Sequence, residues 1–347
     1  MRIAVMGAGA IGANVGGMLT RAGYDVTLLD QWPAHVEAMK AHGLRLSGTC
    51  GDHTIPVRAL HLCEAQAIRN PFDTIVVAVK SYDTDWATMF AVRFLRDSDG
   101  VILSFQNGMN DARVAAIAGT RRTLGCVVLF GAGLYEPGHA LRTDPIVEGR
   151  VAFKIGELDG TRTDRARRLA EVVNHVALTE VTTNLTGERW SKLASNAMGN
   201  AIAGLSGYRT VELPGVPLVR RLEIHIAAEA VRVARAAGVD IKPIGDIAPQ
   251  RYVDAAEGRG FGELDAEMAR AVPPSTDEGR PSLLQDVLRG RRTEVEELNG
   301  YVASAGRRLG VPTPVNDALV REMTRHTAGA FRPDPKHLEP LASALSE

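Results

Sequence analysis

Glu188, Lys192, Asn196 and Asn200 recur at every fourth position of one stretch of the chain. On an α-helix each such step drifts only about 40°, so the four side chains form a single polar stripe. Trp190, Leu193, Ala194, Ala197 and Met198 supply the apolar flank. A stripe with one lysine and two neutral amides suits a site that binds a carboxylate and delivers one proton. The ammonium can donate to a carbonyl oxygen while the amides orient the substrate without competing for that proton. The same spacing also fits a solvated face with a Glu188–Lys192 ion pair, worth roughly a few tenths of a kcal/mol. Further along, Ser282 precedes Leu283, Leu284 and Gln285 in a capping-box pattern, which predicts Ser282 as the N-cap of a long helix. A hydroxyl at a helix N-terminus is also a place for a carboxylate. Glu294 stands close to Glu296 and Glu297, and position alone does not separate it from a solvated charge.

A second constellation lies at the start of the chain, where an apolar run, Arg2 to Met6, ends in Gly7-Ala8-Gly9-Ala10-Ile11-Gly12. Gly7 permits a tight turn, Gly9 lets backbone approach a pyrophosphate, and Gly12 lets helix and strand pack closely. Free amides and the dipole at the following helix N-terminus would hold the phosphates. Such a loop is weak evidence alone, but here a strand precedes it, a helix follows, and Asp30 ends the next strand. Asp30 is placed to hydrogen-bond the ribose hydroxyls of NAD(H). Gln31, Trp32 and Pro33 follow it rather than Arg or Lys, so a 2′-phosphate would meet a negative charge without a cation, and NADH is favoured over NADPH. Lys80 and Asn107 each lie just past the C-terminal end of an apolar strand, the edge where open α/β sheets bind ligands. An ordinary solvated lysine and simple Asn-Gly turn chemistry are the competing readings of these two.

The elements that must carry these residues are legible in the hydrophobic pattern. A helix from Ile11 closes at Gly23, a strand spans Tyr24 to Asp30, and a helix runs from Ala34 to His42. Strands follow at Thr74 to Val79, Val101 to Phe105, Gly125 to Gly131 and Val151 to Ile155. Buried strands alternating with helices predict a parallel sheet covered on both faces. From Leu185 onward strand signals nearly vanish and helical patterns take over, at Val216 to Ala237 and Leu283 to Leu309. The Gly-, Pro- and acid-rich stretch from Glu257 to Pro281 reads as a surface excursion. The expected organisation is a dinucleotide-binding α/β domain at 1–183, a helical substrate and catalytic domain at 184–330, and a loosely docked tail at 331–347.

The bulk composition narrows the function classes. Across 347 residues, 40 basic side chains balance 41 acidic ones, which argues against a nucleic-acid or anionic-membrane partner. The three cysteines and nine histidines show no zinc-like spacing, so no metal is expected, and an odd cysteine count suits a reducing compartment. No apolar run approaches the ~18 residues of a membrane span. The apolar opening lacks a basic leader beyond Arg2 and is broken by glycines, so it reads as a strand of a cytoplasmic protein rather than a signal peptide.

Taken together, the motifs resemble the ketopantoate reductase (2-dehydropantoate 2-reductase) family from Met1 to about Thr327. They are Gly7 to Gly12, Val79-Lys80, Gln106-Asn107-Gly108-Met109, Glu136-Pro137-Gly138 and Trp190 to Asn196. Ser282 to Asp286, Arg292-Thr293-Glu294 through Gly300, and Gly310 to Asn316 complete the set. The resemblance implies a Rossmann-type N-terminal domain and an all-α C-terminal domain of the 6-phosphogluconate dehydrogenase C-terminal type. It implies NAD(P)H-dependent reduction of a small-molecule 2-keto acid to the (R)-2-hydroxy acid, foremost ketopantoate to pantoate in pantothenate and coenzyme A biosynthesis. Lys192 would be the general acid, and Glu294 would bind the substrate's distal hydroxyl or hold Lys192. Asn196, Asn200 and Ser282 would bind the polar ends of the substrate, with Lys80 and Asn107 at the nicotinamide–ribose side and Asn107 also within reach of substrate. The chain departs from the family at Asp30, where NADPH-dependent members usually carry a basic residue, and at Thr210, where many carry asparagine. It departs again at residues 247–281, a stretch longer than in smaller members. A dehydrogenase of another 2-hydroxy acid, a 3-hydroxyacid or a polyol phosphate is the alternative enzyme. A non-catalytic dinucleotide sensor is the alternative outside enzymes, and the intact stripe counts against it. Whether the chain pairs as a homodimer is left open by the sequence.

Overall fold

The computed structural model describes residues 1–145, 147–271, 279–327 and 331–345. The chain folds as two units, Met1–Leu185 and Thr186–Glu347.

The first unit is built on an eight-stranded sheet. Its strands are β1 (Arg2–Met6), β2 (Asp25–Asp30), β5 (Arg58–His61), β6 (Thr74–Val77), β7 (Val101–Ser104), β8 (Thr123–Val128), β11 (Phe153–Glu157) and β12 (Thr179–Val181). They lie in the order β12-β11-β8-β7-β6-β1-β2-β5. Every pair is parallel except β11 against β8. The order reverses at β1, whose Met6 sits opposite Leu29 on one side and Val77 on the other. Such a reversal opens a crevice at the C-terminal strand ends. Alternation along β1 sends Ile3 and Val5 into one core and Ala4 and Met6 into the other. Helix α1 (Ala10–Arg21) packs Ala13, Val15 and Leu19 into the first core, while α3 (Thr84–Ala91) and α4 (Asp111–Ala118) fill the second.

A four-stranded sheet that the hydrophobic pattern did not reveal joins β3 (Leu44–Gly48), β4 (His53–Ile55), β9 (Ala132–Glu136) and β10 (His139–Arg142). Its strands are short, and its first pair is separated from its second by most of the unit, so no local period marks it. Leu44, Leu46, Ile55, Leu134 and Ala140 put it in the same core as α1 and α2 (Pro33–His42).

The described elements of the second unit are helical. Helix α6 (Leu185–Ser206) begins at the boundary and carries the stripe; α5 (Asp164–Val173) precedes it in the first unit. Leu193, Ala194, Ala197, Ala201, Ile202 and Leu205 are wholly buried, which fixes its rotation. Helix α7 (Pro217–Ala236) follows. Helix α8 (Pro249–Ala256) buries Tyr252, and the stretch read as a surface excursion is itself partly helical, with α9 (Phe261–Arg270) burying Leu264 and Met268. Residues 272–278, within that reading, lie outside the described residues. The single helix expected from Leu283 to Leu309 is two, α10 (Ser282–Leu288) and α11 (Asn299–Leu309). Gly290, at φ +60°, ends the first: its N–H donates to Val287 O and that of Arg291 to Asp286 O, a Schellman stop. After α12 (Pro314–Thr327), the expected loose tail packs as 3₁₀ turns over Pro335–Leu345, with Leu338 and Leu341 buried.

Candidate functional site

In the first unit, the glycine loop, Asp30, Lys80 and Asn107 all stand off the C-terminal ends of β1, β2, β6 and β7, which are neighbours in the sheet. Gly7 has φ +95°, and a Cβ there would come within 2.8 Å of Val79, so only glycine makes this turn. At Gly12 a Cβ would lie 1.9 Å from Gly7 O, which is why the start of α1 can sit against the loop. Around Gly9 a Cβ would meet nothing within 4 Å. Ala8 is buried beneath, while Gly9, Ala10 and Ile11 are partly exposed. No side chain caps α1, whose N-cap is Gly9. Open space over Gly9, next to uncapped helical amides, is the cradle a pyrophosphate fills.

Asp30, expected from the sequence as a ribose ligand, is tied to the loop itself. Its Oδ2 accepts the Ala8 N–H at 2.7 Å and its Oδ1 the Trp32 N–H at 2.8 Å, so the carboxylate braces the loop. Each oxygen keeps a lone pair for a further donor. The other side of the loop is held by His35, a residue the sequence did not single out. Gly138 N–H donates to His35 Nδ1 at 2.8 Å, which leaves the proton on Nε2 to donate to Ala8 O at 2.9 Å. The Glu136-Pro137-Gly138 motif thus serves the loop through a histidine on α2, and Trp32 stacks on that ring with centroids 5.6 Å apart.

Lys80 and Asn107 share one network. Gln106 Nε2 donates to Val79 O at 3.1 Å and to Thr84 Oγ1 at 2.8 Å. Ser81 Oγ donates to Asn107 O at 2.8 Å, and Asn110 Nδ2 donates to the same oxygen at 2.7 Å. Ser81, Gln106 and Asn110 are buried. They set the two loops beside each other and leave Lys80 and Asn107 half-buried at the rim. Gln106 lay inside a quoted motif; for Ser81 and Asn110 only the fold supplies the signal.

In the second unit, α6 presents Lys192 and Asn196 half-buried and Asn200 buried. Asn200 Oδ1 accepts the Ser282 N–H at 3.1 Å, which joins α6 to the start of α10. This corrects the capping-box reading of Ser282. The cap comes from Asn200 across space, and Gln285 donates instead to Arg280 O at 2.8 Å. Ser282 Oγ is left buried with no hydrogen-bond partner, an unsatisfied group that a bound polar ligand would relieve. The helix has seven residues, so the hydroxyl, not a long helix dipole, is what this end offers. Glu294, only 3% exposed, belongs to the segment released by the Gly290 stop, where its carbonyl accepts from the N–H groups of Glu297 and Leu298. Burial separates it from the solvated charge that its acidic neighbours suggested. Thr210 N–H donates to Gly279 O at 3.1 Å, beside the long segment.

The remaining motif residues hold α6 in place. Asn299 Nδ2 donates to Ala197 O at 3.1 Å and to Asn316 Oδ1 at 2.9 Å. Asn316 Nδ2 donates to Glu229 Oε2 at 2.6 Å, and Glu229 also accepts the N–H groups of Val315 and Asn316. This buried network ties α6, α7, α11 and α12 to one another.

Two family models match the chain. One described as ketopantoate reductase PanE/ApbA covers residues 3–160, and one described as its C terminal covers residues 184–326. The 2-dehydropantoate 2-reductase of Halobacterium salinarum is 30% identical, over 91% of this chain and 95% of its own. That of Pyrococcus horikoshii is 29% identical, over 92% and 95%. Among solved structures, a PanE/ApbA family ketopantoate reductase from Ralstonia eutropha superposes with a TM-score of 0.73 at 26% identity, covering 100% of both chains. D-mandelate dehydrogenase with NADH and anilino(oxo)acetate shares the fold, with a TM-score of 0.77 at 20% identity over 100% of this chain and 99% of that one. The cradle over Gly9 fits the nicotinamide dinucleotide that such a fold takes. Among the described residues no helix is long and apolar enough to cross a membrane.

Proposed function

The chain belongs to the ketopantoate reductase family, and from that membership we propose that it reduces a 2-keto acid to the (R)-2-hydroxy acid, with 2-dehydropantoate to pantoate as its reaction. The dinucleotide, when bound, supplies a hydride to the carbonyl carbon. Lys192 donates a proton to the carbonyl oxygen as negative charge develops there, so that hydride and proton together complete the alcohol. Asn196, Asn200 and the Ser282 hydroxyl hold the polar ends of the substrate, and Glu294 accepts from its distal hydroxyl or orients the Lys192 ammonium. Lys80 and Asn107 hold the nicotinamide–ribose side. The observation that carries this reading is the unsatisfied Ser282 hydroxyl beside Asn200, at the end of a helix face that also bears Lys192.

We further propose NADH as the preferred cofactor. The Asp30 carboxylate is fixed beside the loop by two backbone amides, and no basic residue occupies positions 31–33 to receive a 2′-phosphate. A second reading, an NAD-dependent dehydrogenase of a different (R)-2-hydroxy acid, is favoured by the same Asp30 and by Thr210 where many members carry asparagine. The deciding experiment assays purified protein with NADH and NADPH against ketopantoate, phenylglyoxylate and a branched aliphatic keto acid. NADH-dependent turnover of ketopantoate above the others supports the first reading. Preference for another acid supports the second, and turnover of no 2-keto acid overturns both.

A further inference from the structure

Glu223, on α7, takes no part in the reaction proposed above. Its Oε1 stands 3.9 Å from where a Cβ on Gly199 would be, and Leu213 Cδ1 stands 3.5 Å from the same point. Gly199 follows Lys192 by two helical turns, so the two positions lie within about 20° of each other around α6. Glu223 therefore meets the line of the helix on which Lys192 and Asn196 stand, about 10 Å along the axis. The lysine side chain leans toward the helix N-terminus, which lengthens the gap. Glycine at 199 adds no side chain of α6 to that line.

The surroundings leave the carboxyl unsatisfied. Arg220, one turn away on α7, gives Nε and Nη2 to Asp265 at 2.7 and 3.0 Å and Nη1 to Pro214 O at 2.8 Å. Tyr252 of α8 is buried within electrostatic range. Among the described residues no hydrogen bond reaches Glu223, and burial pushes its carboxyl up to about 7. The residue is nevertheless partly exposed. A half-buried carboxyl with no protein donor is one that a ligand's hydroxyl can satisfy in place of water.

We propose that Glu223 is a specificity-determining residue, which accepts a hydrogen bond from a donor such as a hydroxyl at the far end of the substrate and rejects a carboxylate there. The chain on this account takes, beside ketopantoate, 2-keto acids whose donor lies further from the carbonyl than the hydroxyl of ketopantoate. The inference rests on Lys192 marking the carbonyl end, as in the reading above.

The test compares kcat/KM, at about pH 8, for straight-chain 2-keto acids of equal length ending in a hydroxyl, a methyl or a carboxylate, with ketopantoate alongside. The wild-type protein is expected to prefer the hydroxyl-terminated acid over both others by about tenfold or more. Glu223→Leu is expected to lower the hydroxyl-to-methyl ratio by about tenfold. Glu223→Gln, which keeps the shape and is the arm to use if the leucine variant does not fold, is expected to raise the carboxylate-to-hydroxyl ratio by a similar factor. Turnover of ketopantoate without that wild-type preference, or ratios that neither variant shifts, would overturn the inference while leaving the functional reading intact. Turnover of no keto acid by the wild-type protein would sink the reading and the inference with it.

Discussion

A single carboxylate braces the glycine loop from the position to which the proposed cofactor selectivity is assigned. Asp30 was legible from the sequence because a glycine loop between strand and helix, with an acid at the end of the next strand, is a constraint met over one short βαβ stretch. Its second task, bracing Ala8 and Trp32, was not legible, since the loop conformation decides which amides turn toward it. His35 escaped notice for the same reason: nothing local to α2 says that its ring meets Ala8 O and Gly138 N–H. The double change Asp30→Ala, Gln31→Arg is expected to raise the NADPH-to-NADH ratio of kcat/KM at least tenfold. It should also weaken binding of both cofactors, because the Ala8 amide loses its acceptor. A parent protein that already prefers NADPH would refute the cofactor reading. A second residue-scale prediction concerns Glu223, whose carboxyl is raised from 4.5 to about 7 by burial. The folded state favours the protonated form, so the contribution is full below about pH 4.5 and is lost as pH rises to about 7, by up to about 3 kcal/mol. Urea unfolding from about pH 5 to pH 8 should show wild-type stability falling relative to Glu223→Gln; parallel profiles would contradict this.

At the scale of elements, the helix bearing the stripe was readable because apolar residues mark its inner face, and the four-residue spacing then fixes the outer one. The break between α10 and α11 was not, because the periodicity continues across Gly290 and only its left-handed backbone ends the first helix. Ser282 was misread through a local capping signature, when the cap is Asn200, a residue distant in sequence. The second sheet went unread because its short strands pair across long separations. Position on α6 is held by the Asn299–Asn316–Glu229 network. Asn316→Ala removes the donor to Glu229 Oε2 and the acceptor for Asn299 Nδ2. Unfolding in urea should show a loss of about 2–3 kcal/mol, together with a raised KM for the keto acid as Asn200 and Lys192 lose their setting. Unchanged stability would mean the network is not what fixes α6.

For the molecule as a whole, the division of labour follows the division of the chain. On the proposed reading the first unit would supply a glycine cradle and a fixed acid for a dinucleotide, and the second one ammonium, two amides and a hydroxyl. The change from alternating strands to long helices was plain in the sequence. The packing of the last segment was not, for its three prolines hide the buried Leu338 and Leu341. The two tasks are separable by one substitution. Lys192→Ala should lower kcat for keto-acid reduction by ~10²–10⁴ while the Kd for NADH, measured by fluorescence titration, stays within about twofold. Turnover by Lys192→Ala at the wild-type rate, with NADH still bound, would contradict the account.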